Sequence, residues 1–136
     1  ALERLAHLDA DLDHWSAGHP PTISSPAADA YVARLEDSAA WGGLYVAHHY
    51  TRYLGDLSGG QAIASLVTRN LMIPPNFLSF YEFDDIGDKV RYKETYREGL
   101  DSLNLSAAGT KIFIDEVILA FRFNQYIFDD LAKRWL

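Results

Sequence analysis

Proline occurs at only five positions, 20, 21, 26, 74 and 75, and it leaves long stretches of the chain free of any comparable helix breaker. Within those stretches apolar residues recur at helical spacing. No segment alternates apolar and polar residues for long enough to make a strand. The pattern predicts an all-α fold, a packed bundle of helices. At 136 residues the chain has the usual length of one domain, so residues 1–136 are expected to form a single helical domain.

The first segment carries Leu5, Leu8, Leu12 and Trp15 one or two turns apart, and Gly18 with Pro20 and Pro21 should end it. Ser25 followed by Pro26 reads as an N-cap with proline in the first turn. That helix is expected to run to about Ala40 and to bury Tyr31 and Leu35, with Trp41-Gly42-Gly43 breaking it. A third helical segment should extend from about Leu44 to Leu71, interrupted by glycines. An aromatic-rich loop follows at 73–83, then a fourth helix from about Asp85 to Leu103. Ser106 caps a last helix that tolerates Gly109 in its first turn.

Composition narrows the partners. The formal charge of −7 argues against nonspecific nucleic-acid binding. Without cysteine, disulfides and thiolate metal sites are excluded, and a reducing, cytoplasmic setting is expected. No apolar run approaches the roughly 20 residues of a membrane span.

The stretch YLGDLSGGQ, residues 53–61, is the anomaly. Each glycine inside a helix costs about 1 kcal/mol relative to alanine. Gly55 and Gly59 stand four apart and Gly60 adjoins them, so one helix face loses its side chains. A crossing helix or a flat ligand could then approach to backbone distance. Asp56 reads either as a solvated or capping charge, or as a carboxylate aimed at a ligand or at ordered water.

Two other helices add to this. The apolar positions Ile86, Val90, Leu100 and Leu103 define a stripe that also passes through Lys93 and Arg97. Two cations there either snorkel to water or clamp an anionic ligand. In the last helix Phe113, Val117, Phe121 and Phe128 form a stripe that includes Asn124, whose amide needs partners. A flat groove, a cationic pair and an aromatic wall together suit a planar apolar ligand with acidic tails, such as haem.

At this point a family resemblance enters. AHHYTRYLGDLSGGQ (47–61) resembles the signature of haem oxygenases. RYKETYREGLDSLNL (91–105) is similar to that family's propionate-binding helix, and AFRFNQYIFDDL (120–131) to its last core helix. The resemblance covers nearly the whole chain and is closest to bacterial members. It implies a haem-oxygenase-like helical bundle in which the glycine segment is a kinked distal helix over the haem. Gly55 and Gly59, with Ser58 and Gly60 in the same turns, would bring backbone against the ligand. Asp56 would anchor a water network that delivers protons, supported by Tyr50, Arg52 and Asn124. Lys93 and Arg97 would pair with the propionates, and Phe121 and Phe128 would wall the pocket. The implied reaction consumes haem, O₂ and reducing equivalents and yields biliverdin, CO and ferrous iron. An external electron donor, a reductase or ferredoxin, is implied because no nicotinamide or flavin motif is present. A non-catalytic haem-binding or sensing module, and a plain helical interaction domain, are the competing readings.

The family's proximal iron ligand is a histidine on an early N-terminal helix. None of His7, His14, His19, His48 and His49 occupies the matching position, so no metal ligand is assigned. His48 and His49 fall on the distal helix, where one could hydrogen-bond within the network. The resemblance therefore implies an N-terminally truncated distal and C-terminal portion. Three expectations follow: a piece of a longer protein, a partner segment supplied in trans or by self-association through exposed apolar surface, or a pocket without chemistry.

Overall fold

The computed structural model describes residues 2–20 and 22–135, the side chain of Trp135 excepted; Pro21, paired above with Pro20 as a helix stop, lies outside the described residues. Six α-helices appear among the described residues: α1 (Leu5–Ser16), α2 (Pro26–Asp37), α3 (Gly42–His49), α4 (Gln61–Leu71), α5 (Lys89–Asp101) and α6 (Ala107–Trp135). Short 3₁₀ turns cover Ser38–Ala40, Pro75–Phe77 and Ser79–Tyr81. No strand occurs among the described residues, in keeping with the all-α expectation. Nor is any helix among them long and apolar enough to cross a membrane.

The chain divides into two compact units, one of Ala1–Thr22 with Tyr53–Ser102 and one of Ile23–Arg52 with Leu103–Leu136. In the first, α1 ends where Ala17 and Gly18 take positive φ, and the Gly18 amide bonds the Asp13 carbonyl. The expected apolar stripe of α1, Leu5, Leu8, Leu12 and Trp15, is largely exposed. The buried residue is Asp11, whose carboxylate accepts from Ser79 N, Ser79 Oγ and Phe80 N at 2.8–3.0 Å and so ties the Ser79–Tyr81 turn to α1. Leu57, Phe83 and Ile86 form the core, with Leu2 and Tyr92 packed against it. The guanidinium of Arg4 lies 4.6 Å over the Phe83 ring and also donates to the Glu82 carbonyl.

The fourth expected helix starts four residues late. Asp88 is its cap, accepting from the amides of Val90 and Arg91 at 3.0 Å. Ile86 enters the core from the loop before it, whereas Val90 and Leu103 are exposed. The half-buried side of α5 carries Lys89, Tyr92, Lys93, Tyr96 and Leu100, and Arg97 is exposed. The aliphatic stripe proposed from spacing therefore does not exist. Tyrosines and lysine stems cover that face instead.

In the second unit, Ser25 caps α2 as expected: its hydroxyl accepts from the Ala28 amide. Asp130 of α6 accepts from Ser25 Oγ and Ala27 N, both at 3.0 Å, and its carboxyl is held below the ordinary value by these bonds. α2 yields to the 3₁₀ turn at Ser38, and Trp41 is extended. Tyr31 and Leu35 are half-buried. Ser106 Oγ accepts from Gly109 N at 3.2 Å at the start of α6. Both α2 and α3 pack on α6, where Ala47 of α3 and Ala120 of α6 are fully buried. The covered face of α6 runs through Phe113, Glu116, Val117, Ala120, Phe123, Asn124 and Ile127. Phe121 and Phe128, placed on that stripe by spacing, are instead 59% and 68% exposed. At about 100° per residue, 120, 124 and 127 lie under 113, and 121 and 128 turn away.

The glycine segment does not interrupt its helix. Tyr50–Leu54 and Asp56–Gly60 are consecutive π turns joined by Gly55 at φ −60°, ψ −51°, and helical bonding continues into α4. Such turns are a recognised cause of helix kinks and gather at functional sites.

Candidate functional site

Within the first unit, a methyl group added at Gly55 or at Gly59 would meet nothing within 4 Å. No crossing helix among the described residues uses that space. Gly60 serves another purpose: it is buried, and a Cβ there would lie 2.6 Å from Cδ1 of Tyr81. Asp56 is half-buried; its Oδ2 is shielded from solvent and accepts no hydrogen bond from the described residues, although the residue is engaged elsewhere. Lys93 Nζ donates to Ser58 Oγ at 3.2 Å, joining two of the residues singled out from sequence. Lys89 Nζ donates to Gln61 Oε1 at 2.9 Å. Lys89, Lys93 and Arg97 thus form a row at four-residue spacing along α5, the first two tied to the segment 58–61. Lys89 was not among the sequence candidates, although its spacing from Lys93 was visible. An open backbone face beside ammonium and guanidinium groups can accept a flat ligand and make charge-assisted hydrogen bonds to its anionic substituents.

Within the second unit, Arg52 Nη1 approaches Asn124 Oδ1 at 3.4 Å, and Asn124 Nδ2 donates to the Ala120 carbonyl at 2.8 Å. These are the partners the Asn124 amide was expected to need. Nearby, the Tyr31 ring stacks on Phe123 with centroids 5.0 Å apart. Burial raises the Tyr31 phenol above its ordinary value, against the lowering effect of Arg52 and Asn124. Tyr50 is half-buried in the adjoining π turn.

Behind Tyr31 lies a buried polar cluster. His48 Nδ1 stands 3.3 Å from the Tyr31 hydroxyl and His48 Nε2 is 2.7 Å from Glu116 Oε1. Arg34 grips the same carboxylate with both arms, Nε to Oε1 at 2.8 Å and Nη2 to Oε2 at 2.5 Å. His48 is 2% and Glu116 4% exposed. Burial opposes the ionisation of Glu116, but the hydrogen bonds from Arg34 and His48 outweigh it and hold the carboxyl below its ordinary value. Glu116, Arg34 and Tyr31 were not sequence candidates. The available signal was Glu116 itself, an acid eight residues before Asn124 on the same covered face. Elsewhere His14 stacks on Phe77. Among the described residues no group of three or more His, Asp or Glu side chains is placed to hold a metal ion.

A profile of the family described as "Heme oxygenase" matches residues 1–130. The chain is 35% identical to "Heme oxygenase" of Rhodella violacea over 99% of its own length and 59% of the relative's. It is 40% identical to "Heme oxygenase 1" of Nostoc sp. over 96% and 56%. Heme oxygenase-1 of Synechocystis sp., solved in complex with heme, superposes with a TM-score of 0.90 at 36% identity, covering 98% of this chain and 62% of that one. Heme oxygenase-2 of the same organism, solved with heme and NO, gives 0.87 at 34% identity over 97% and 57%. The chain spans a little over half the length of the curated relatives it matches.

Proposed function

The chain belongs to the haem oxygenase family, and from that premise we propose that it forms the distal and propionate-holding part of a haem-degrading monooxygenase. The observation that carries the reading is the open face at Gly55 and Gly59 beside Lys93, which is already hydrogen-bonded to Ser58 of the same segment. A flat macrocycle with two carboxylates fits that combination. When bound, haem supplies the O₂ chemistry and the ring that is opened, giving biliverdin, CO and ferrous iron with electrons from an external donor.

The residues of this chain do the rest. Gly55 and Gly59 keep side chains off the ligand face, so that only small molecules share it. Lys93 and Arg97 hold the carboxylates and fix the ligand's rotation. Asp56 orders water and passes protons, and Tyr50, Arg52 and Asn124 hold that water network in place. Phe121 and Phe128 supply an apolar wall. A reductase or ferredoxin serves as electron donor, and the cytoplasm as the setting.

Haem titration followed by reduction under O₂ tests the proposal. The expected result is a saturable Soret band and formation of biliverdin and CO. Replacing both Lys93 and Arg97 by alanine should weaken haem binding at least tenfold, since each charge-assisted hydrogen bond is worth about 1.5–3 kcal/mol. Unchanged affinity in that double variant would defeat the assignment of the clamp.

A further inference from the structure

We propose that Gln61 is a positioning residue and Lys89 its anchor: together they brace the Tyr81 ring against Gly60 and so set where the glycine segment stands. Lys89 thereby parts from Lys93 and Arg97 in role, because it holds the protein rather than the ligand. The brace lies wholly within the first unit and stands on geometry; only its consequence for haem rests on the proposed function.

The hydrogen inventory of Gln61 admits one arrangement. An ammonium group only donates and a carbonyl only accepts. Lys89 Nζ donates to Gln61 Oε1 at 2.9 Å, and Gln61 Nε2 donates to the Tyr81 carbonyl. A primary amide satisfies both partners at once. A carboxylate of the same length would meet Lys89 but turn an acceptor on the carbonyl, and an apolar side chain would meet neither. Lys89 is half-buried, and its ammonium also lies 6.0 Å from the centre of the Phe83 ring in the core. Lys93 differs. It reaches the Ser58 hydroxyl at 3.2 Å in an exposed contact, which an anionic ligand can displace by offering a charge-assisted bond.

The far end of the brace is fixed as well. Asp11 holds the amides of Ser79 and Phe80, Gln61 holds the carbonyl of Tyr81, and Arg4 donates to the carbonyl of Glu82. Each residue from 79 to 82 thus has a backbone group bonded to a side chain from elsewhere in the unit. The Tyr81 ring consequently stands so close to Gly60 that a Cβ there would lie 2.6 Å from Cδ1. Gly60 ends the π turn Asp56–Gly60, which also carries Asp56 and Gly59. A π turn is an uncommon register, so its place depends on what it rests against. Releasing the Tyr81 carbonyl frees the ring that supports Gly60, and with it the open face and the carboxylate of Asp56.

The test is amide hydrogen exchange by NMR on the intact chain, followed by haem titration. In Gln61→Leu and Gln61→Glu the Gly59 and Gly60 amides should exchange about tenfold faster, as expected for one lost hydrogen bond. Amides of α6, in the second unit, should exchange as before, which marks the change as local. Lys89→Met should accelerate the same two amides by a smaller factor, and Lys89→Arg, which keeps a donor, should restore their protection. Unchanged exchange at Gly59 and Gly60 in Gln61→Leu would overturn the proposal. If that variant fails to fold by circular dichroism, Gln61→Glu and Lys89→Met decide by the same criterion. In Soret titration Lys89→Met should bind haem as the wild type does, whereas Lys93→Ala should bind more weakly. An equal loss in both would make Lys89 a third clamp and overturn its role as anchor. Turnover in the Gln61 variants should fall about tenfold while haem affinity holds, and turnover at the wild-type rate counts against the proposal. A wild-type chain without a saturable Soret band would remove the haem reading and leave the exchange rates to decide the brace.

Discussion

Glu116 holds two cationic or cation-forming side chains at once, Arg34 and His48, and it does so almost entirely out of water. Glu116→Ala leaves both without their acceptor, and the loss of one member of a buried pair costs about 3–5 kcal/mol. Urea denaturation should show that loss as a lower midpoint at constant slope. The same carboxylate sets an acid limb. Burial works against its ionisation, the bonds from Arg34 and His48 more than offset this, and its folded value lies below the ordinary 4.5. A depressed folded value means that the stabilisation is present above the unfolded value and is lost as pH falls through the folded one. The urea midpoint should therefore be insensitive to this group above about pH 5 and decline below 4.5, with a flatter decline in Glu116→Gln. The pairing was not legible in sequence, because Arg34, His48 and Glu116 come from three elements and only the fold brings them together. Asn124 was legible as a residue needing partners. The resemblance grouped Arg52 with Asn124 in one network, and the direct approach of the Arg52 guanidinium to that amide came from the fold.

Among the elements, the glycine segment separates two physical roles that spacing alone left merged. Gly60 meets the Tyr81 ring, so Gly60→Ala overpacks the site and should cost about 1–3 kcal/mol. Gly55 has ordinary helical angles and open space at its Cβ position. Gly55→Ala should accordingly raise stability by up to about 1 kcal/mol through helix propensity. Under the proposed function the same methyl group occupies the ligand face and weakens haem binding. Differential scanning calorimetry and Soret titration of the two variants should give opposite orders: Gly60→Ala less stable, Gly55→Ala more stable but poorer in haem. A Gly55→Ala protein that is destabilised would instead favour helix packing as the reason for the glycine. Helix ends with a side-chain signature, such as Ser25-Pro26 and Ser106, were readable from sequence. The start of α5 was not, because Asp84, Asp85 and Asp88 are all plausible caps and only one has two amides in reach. The π turns were invisible as well. Glycine content signals that a helix is weakened, but not which hydrogen-bond register it adopts.

At the scale of the whole chain, net charge and exposed apolar surface act together. The 136 residues carry a formal charge of −7 and an isoelectric point near 5.0, so mutual repulsion disappears as the pH falls to that value. Meanwhile α6 presents Ile114, Ile118, Phe121 and Phe128 with about half or more of each side chain exposed. Contiguous apolar surface of this kind drives association once charge no longer opposes it. Acid unfolding through Glu116 begins lower, below 4.5, so the two events should be ordered in pH. Light scattering is expected to peak near pH 5.0 while near-ultraviolet circular dichroism still reports native packing, and the dichroism should be lost only at more acid pH. Ile118→Glu both interrupts the exposed stripe and adds a negative charge, so it should narrow and lower the scattering peak without moving the dichroism transition. If scattering and dichroism changed together in both proteins, association would be a consequence of unfolding, and the exposed face of α6 would have no part in it.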